Sequence, residues 1–176
     1  GTFCLEMNSR NVFTRVVAVE PSPDLARSVR EKGVEVIESV IEKADPGMHG
    51  TFDVIVNFEV IEHLFSPKEF LEGCQKLLKP GGLFVVTCPN GKGFDFLVLG
   101  KETVAIDHEH INYFNPMSLA KLVSACGFEV VESMTPGVLD ADMVRNRALE
   151  GKLDLSDQPF LKKILIEEWS LHGAAF

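Results

Sequence analysis

FDVIVNFEVIEHL, residues 52–64, begins as a buried strand and ends in a cluster of ligand-type side chains. Residues 53–57 (DVIVN) are a short β-branched run, the pattern of a strand covered on both faces. Glu59, Glu62 and His63 follow directly. Upstream, residues 15–19 (RVVAV) and 34–37 (VEVI) read as two more strands with a helix between them. Ser22-Pro23 opens that helix with an N-cap and an N1 proline, Leu25, Ala26 and Val29 share a face, and Gly33 stops it. Downstream, Ser66-Pro67-Lys68-Glu69 has the form of a capping box, and Phe70, Leu71, Cys74, Leu77 and Leu78 form the apolar stripe behind it. Residues 79–82 (KPGG) read as a turn and 83–87 as a fourth strand. Asn115-Pro116 caps a helix carrying Leu119, Leu122 and Val123, Gly127 ends it, and 128–131 reads as a fifth strand. This alternation predicts an α/β domain around a mostly parallel sheet. From Thr135 the pattern changes: 139–149 and 160–169 read as helices around a polar stretch. The expected division is therefore 1–134, an α/β domain, and 135–176, a helical C-terminal extension.

The 176 residues suffice for one buried core, and 45% hydrophobic with 24% charged residues is ordinary for a globular protein. A net charge of −9 disfavours a nucleic-acid or anionic-membrane surface, which would call for a basic patch. No run approaches the roughly 18 apolar residues of a membrane span. The four cysteines, Cys4, Cys74, Cys88 and Cys126, form no CxxC pair and read as reduced thiols of a cytoplasmic protein. The chain does not begin with Met and ends Gly173-Ala174-Ala175-Phe176, so it reads as a fragment of a longer frame.

Several residues are candidates for chemistry. Glu20 follows an early strand, where an acid is placed to bind two ribose hydroxyls; a solvated loop glutamate is the alternative. Glu59, Glu62 and His63 spell ExxEH, and on a helical turn these spacings share one face. His63 offers an imidazole, a base suited to neutral pH. Two carboxylates beside an imidazole could instead bind Mg²⁺ or Mn²⁺, and a helix-capping or packing role is the third reading. Asp107, His108 and His110 lie on a loop expected to border a substrate pocket, His110 being the preferred member. Pro89-Asn90 reads as a turn shaping that pocket. Phe94, Phe96 and Leu97 read either as a lid or as a packed loop.

FDVIVNFEVIEHL, LLKPGGLFVVTCPN (77–90) and DHEHINYFNPMSLAKLVSACGFEVVE (107–132), in this order, resemble the class I S-adenosylmethionine-dependent methyltransferases, especially the branch of ubiquinone-pathway O-methyltransferases. The resemblance runs from Gly1 to about Val131. It implies a Rossmann-like, doubly wound sheet lacking its first strand and its last. It implies S-adenosyl-L-methionine as cofactor and methyl transfer to a small-molecule acceptor, with oxygen the expected acceptor atom. Gly1 then matches the last glycine of the family's cofactor loop, which would leave the chain itself a weak hold on the cofactor. Glu20 matches the ribose-binding acid, Ser39 and Val40 fall at the adenine-contacting segment, and Asn57 and Phe58 match the wall under the cofactor. Ser39 departs from the aspartate many relatives carry there. A similar ExxEH with a distant histidine forms the metal site of small-RNA 2′-O-methyltransferases, which would make Glu59, Glu62, His63 and His110 a metal set. The extension resembles that of methyltransferases found with surface-sugar pathways, which adds a sugar as an alternative acceptor. Two other classes stay open: a nucleotide-dependent Rossmann oxidoreductase, and a non-catalytic fragment or binding module.

Overall fold

The computed structural model describes residues 1–137 and 139–173. Val138 and residues 174–176, which belong to the expected extension, lie outside the described residues. By packing, the chain divides into two units: Gly1–Val56 with Lys68–Val85, and Asn57–Pro67 with Val86–Phe176.

The first unit opens with a helix that sequence periodicity did not announce, α1 (Thr2–Arg10), with Gly1 as its N-cap. Strand β1 (Val17–Val19) leads into α2 (Pro23–Glu31), whose proline stands in the first turn as expected. Ser22 is the N-cap of α2, but its side chain makes no cap bond. Its backbone N–H is taken instead by the Glu20 carboxylate. Gly33 ends the segment at φ 81°, a conformation that costs glycine little. Strand β2 (Glu35–Ile37) returns parallel to β1, with Val17 opposite Glu35 and Val19 opposite Ile37. Arg15 clamps this pair through both guanidinium contacts to Glu35. Helix α3 (Pro67–Leu77) buries the expected stripe of Phe70, Leu71, Cys74 and Leu77. Each large aliphatic side chain fully buried this way contributes about 1.5–3 kcal/mol.

Strand β3 (Phe52–Phe58) pairs with β4 (Leu78–Thr87). Strand β4 starts five residues earlier than its apolar run, so the expected KPGG turn is part of the strand. Gly81 allows this by taking φ 77°, and the N–H groups of Gly50 and Thr51 extend the pairing onto the carbonyls of Lys76 and Leu77.

In the second unit, α4 (Phe94–Leu99) replaces the expected lid or loop. Helix α5 (Pro116–Ala125) carries a full capping box between Asn115 and Ser118. Helix α6 (Ala141–Leu149) packs Ala141 and Val144 with Leu99 and Leu165 into a small core. Helix α7 (Pro159–Lys162), a π-helical turn (Lys163–Glu167) and α8 (Trp169–His172) complete the chain, so the expected 160–169 helix is present but broken. The expected fifth strand is a correction: residues 128–131 are irregular. A strand needs a neighbour for its backbone groups. Among the described residues, the strands form two separate pairs, β1–β2 and β3–β4, with none beside 128–131. Val131 is 85% exposed rather than packed.

Candidate functional site

In the first unit, Glu20 leaves the carboxyl end of β1 half-buried, its backbone N–H still bonded to the Ile37 carbonyl. Its Oε1 accepts the Ser22 N–H at 2.9 Å, which fixes the carboxylate and leaves Oε2 free to accept from a ligand. Ser39 is half-buried and Val40 is exposed, at the entry to a 3₁₀ turn over Ile41–Lys43. Gly1 lies against α2: a Cβ there would stand 3.1 Å from a Val29 methyl carbon.

In the second unit, Asn57 is buried and its Oδ1 has no hydrogen-bond partner. Phe58 beside it is 41% exposed. The ExxEH segment departs from the expected helical turn. Glu59 sits at φ 52°, outside helical space. Its N–H donates to the Thr87 carbonyl, and its carboxylate accepts from the Thr87 hydroxyl at 2.6 Å. Only Ile61–His63 is helical, as a single 3₁₀ turn. Glu59 is thereby turned away from the set it was expected to join.

His110 takes its place. Glu62, His63 and His110 each offer one ligand atom, and these atoms lie within 4.8 Å of one another. The two imidazole centroids are 4.7 Å apart. His63 Nδ1 lies 3.0 Å from the Glu109 carbonyl oxygen, and His110 Nδ1 lies 2.8 Å from that of Ala105. A carbonyl only accepts, so each Nδ1 carries a proton, and in the neutral imidazole Nε2 is then the acceptor. Asp107 holds the loop in shape: its Oδ1 accepts the N–H groups of Glu109 and His110. These bonds hold the Asp107 carboxyl below its ordinary range. His108 is 91% exposed at its side chain and takes no part.

Glu62 is 2% exposed, and neither carboxylate oxygen has a hydrogen-bond partner. Burial pushes its carboxyl up, the Glu59 carboxylate adds to the rise, and the two imidazoles oppose it. Three acceptors thus face one another without a donor between them. An unpaired buried acceptor is costly, so the cluster is built for a proton, a donor group or a cation. Glu62, His63 and His110 together could hold a divalent ion with positions left open.

The segments that carry these groups are stitched together by backbone. The Ile111 and Asn112 N–H groups both donate to the Glu62 carbonyl. The Asn112 side-chain amide donates to the carbonyls of Leu64 at 2.7 Å and Glu62 at 3.3 Å. The Gly91 N–H donates to the Phe114 carbonyl, which ties the Pro89-Asn90 turn to the same loop. Phe96 meets Tyr113 edge-on at 5.7 Å. Asn112 had no signal in spacing alone; the run DHEHIN was visible, but the bonds that join it to the His63 turn link residues 46 to 50 positions apart.

All four cysteines carry free thiols. Burial pushes the Cys74 thiol up to about 12 and, with help from Glu62 and Glu59, the Cys88 thiol up to about 11. Among the described residues no helix is long and apolar enough to cross a membrane.

The sequence profile of the methyltransferase domain matches residues 1–133. The C-methyltransferase NovU of Streptomyces niveus is 31% identical over 166 residues, 92% of this chain and 38% of its own length. A ubiquinone biosynthesis O-methyltransferase of Cereibacter sphaeroides is 34% identical over 88 residues, 46% of this chain and 36% of its own. The chain therefore spans less than two-fifths of the length of these relatives. Among solved structures, a SAM-dependent methyltransferase of Thermotoga maritima superposes with a TM-score of 0.57 at 24% identity. That match covers 65% of this chain and 55% of the other, which shows a shared Rossmann-like α/β fold.

Proposed function

The chain belongs to the methyltransferase-domain family, and from that premise we propose that it serves transfer of a methyl group from S-adenosylmethionine to an oxygen of a small-molecule acceptor. The observation that carries the reading is the pair of imidazoles, His63 and His110, set beside a buried carboxylate with each Nδ1 engaged by a backbone carbonyl. The cofactor, when bound, supplies an electrophilic methyl group on a sulfonium.

The residues present fit that cofactor. The free Glu20 Oε2 is an acceptor in want of donors, which ribose hydroxyls provide. In the first unit, Glu20 would take the ribose and Ser39 and Val40 the adenine, with Gly1 on the same unit. His63 Nε2 would accept the proton of the acceptor hydroxyl, with the His110 ring, 4.7 Å away, walling the same space. Buried Glu62 would favour the imidazolium so formed, since it is the nearest unpaired anion at 3.9 Å. Such base assistance is worth about 10²–10⁴-fold for an alcohol and less for an acidic phenol. The net charge of −9 suits a small molecule better than a nucleic acid.

One observation favours a second reading of the same atoms. Three ligand atoms within 4.8 Å, one from a carboxylate without partners, would supply part of a shell for a divalent ion, Mn²⁺ more readily than oxygen-preferring Mg²⁺. Labelled S-adenosylmethionine offered with phenols, alcohols, sugars and carbon acceptors, with and without chelator, tests both. Labelled O-methyl product that persists in chelator supports the base. Loss in chelator and return with Mg²⁺ or Mn²⁺ supports the metal. A labelled carbon–methyl product alone would refute the oxygen acceptor.

A further inference from the structure

We propose that Asn112 is a positioning residue: its side chain locks the His63 turn to the His110 loop and so sets the geometry and tautomer of the pair. This rests on the reading of His63 and His110 as the working groups of the site.

The 3₁₀ turn Ile61–His63 is one turn long and uses the carbonyls of Val60 and Ile61 for its own bonds. The carbonyls of Glu62 and Leu64, on either side of His63, are left over. Asn112 takes both. Its amide nitrogen donates to Leu64 O at 2.7 Å and to Glu62 O at 3.3 Å, while its backbone N–H reaches Glu62 O at 2.9 Å. Two carbonyl partners fix the orientation of the amide, because only an NH₂ group can meet both. The side chain is half-buried, so water competes poorly for these bonds.

The consequence reaches the imidazoles. His63 holds its Nδ1 proton against the Glu109 carbonyl, which lies three residues before Asn112 on the same loop. His110 lies two residues before it. Hence the 4.7 Å ring separation and the seat of the His63 Nδ1 proton both depend on how the loop is pinned to residues 62 and 64. Glu59 and Asp107 do not join the two segments: the first is bonded to Thr87, and the second braces its own loop, with Oδ2 3.5 Å from His110 Nδ1. No other side chain among the described residues is seen to bond the carbonyls of both residues flanking His63. A displacement of about 1 Å at a reacting group is worth on the order of 10²-fold in rate, so a pin of this kind is kinetically visible.

The test needs no known acceptor for its first readout. In ¹⁵N-histidine spectra of the protein, neutral His63 is expected as the Nδ1–H tautomer. In Asn112→Ala that preference is expected to fall to the mixture of a free imidazole. Asn112→Asp keeps the shape but turns acceptors toward the carbonyls; it is expected to behave the same and serves where the alanine variant does not fold. On the best acceptor from the labelled screen, both variants should lower kcat by about 10-fold or more, while the KM for S-adenosylmethionine stays within about 2-fold. In a His63→Ala background, Asn112→Ala should cost nothing further. Unchanged tautomer and kcat in both variants would overturn the proposal, as would an equal kcat loss with and without His63. If His63→Ala itself leaves turnover intact, the base reading falls, and the spectra still judge Asn112 on their own.

Discussion

Glu20 and the His63–His110 pair both present acceptor atoms to a ligand, yet they are held in different ways. Glu20 is set by its neighbours in the chain: a strand end places it and an N–H two residues on fixes it. His110 is held locally too, by the Ala105 carbonyl, but His63 is set against it by bonds between segments 46 to 50 residues apart. Local chain geometry suffices to aim one carboxylate at a ribose. Bringing two imidazoles and a buried carboxylate within 4.8 Å takes a cross-linked loop. In the proposed reading the first arrangement is a binding device, and the second offers a chemical step a base with Nδ1 held by a carbonyl beside a buried carboxyl group.

The sharpest way to break this division is His63→Ala. Turnover on the best acceptor should fall about 10²–10⁴-fold while affinity for S-adenosylhomocysteine stays nearly unchanged. An equal loss of affinity would make the pair part of the binding device. Glu20→Ala should act in the opposite sense. Removing a carboxylate that accepts two hydroxyls should weaken cofactor binding on the order of 10²-fold, against less than about 2-fold for Ser39→Ala, as read by calorimetry. Equal effects at the two positions would place the ribose elsewhere.

The desolvation around Glu62 can be probed through Cys88, whose thiol is pushed up to about 11 by burial and by the Glu62 and Glu59 carboxylates. At pH 8 its alkylation by iodoacetamide should run about 10-fold or more slower than in urea. Because the folded value lies above the unfolded one, the group supports folding below about pH 9 and loses that support as pH rises toward 11. Rapid labelling of Cys88 at pH 8 would mean that its surroundings are wet. The smallest effect belongs to Asn115, which caps α5 just beyond the His110 loop through a reciprocal bond with Ser118. Asn115→Ala should cost about 1 kcal/mol in urea unfolding and leave turnover per folded molecule unchanged. A large turnover loss there would show that the loop is positioned by its helix as much as by Asn112.

What the sequence made legible follows the same line. The alternation of β-branched runs and amphipathic stripes located β1 to β3 and α2, α3 and α5, because each is set by local periodicity and capping. Glu20 was readable as a strand-end acid for that reason. His63 and His110 were readable as types, but the partner set was misjudged. A helical reading of ExxEH put Glu59 with Glu62 and His63, whereas the left-handed backbone at Glu59 and its bond to Thr87 remove it. Asn112 gave no signal, since its work lies wholly in long-range bonds to carbonyls that no periodicity reveals. The run FEVV at 128–131 had strand composition but no neighbouring strand to bond with, and composition alone does not make a strand.

The measurement that bears most directly on the central claim is calorimetric titration of the protein with S-adenosylhomocysteine and with NAD, repeated on Glu20→Ala. The expected result is preference for S-adenosylhomocysteine over NAD, with that binding weakened by the substitution. Preference for NAD, or S-adenosylhomocysteine binding that ignores the loss of Glu20, would contradict a methyl-transfer site built on these residues.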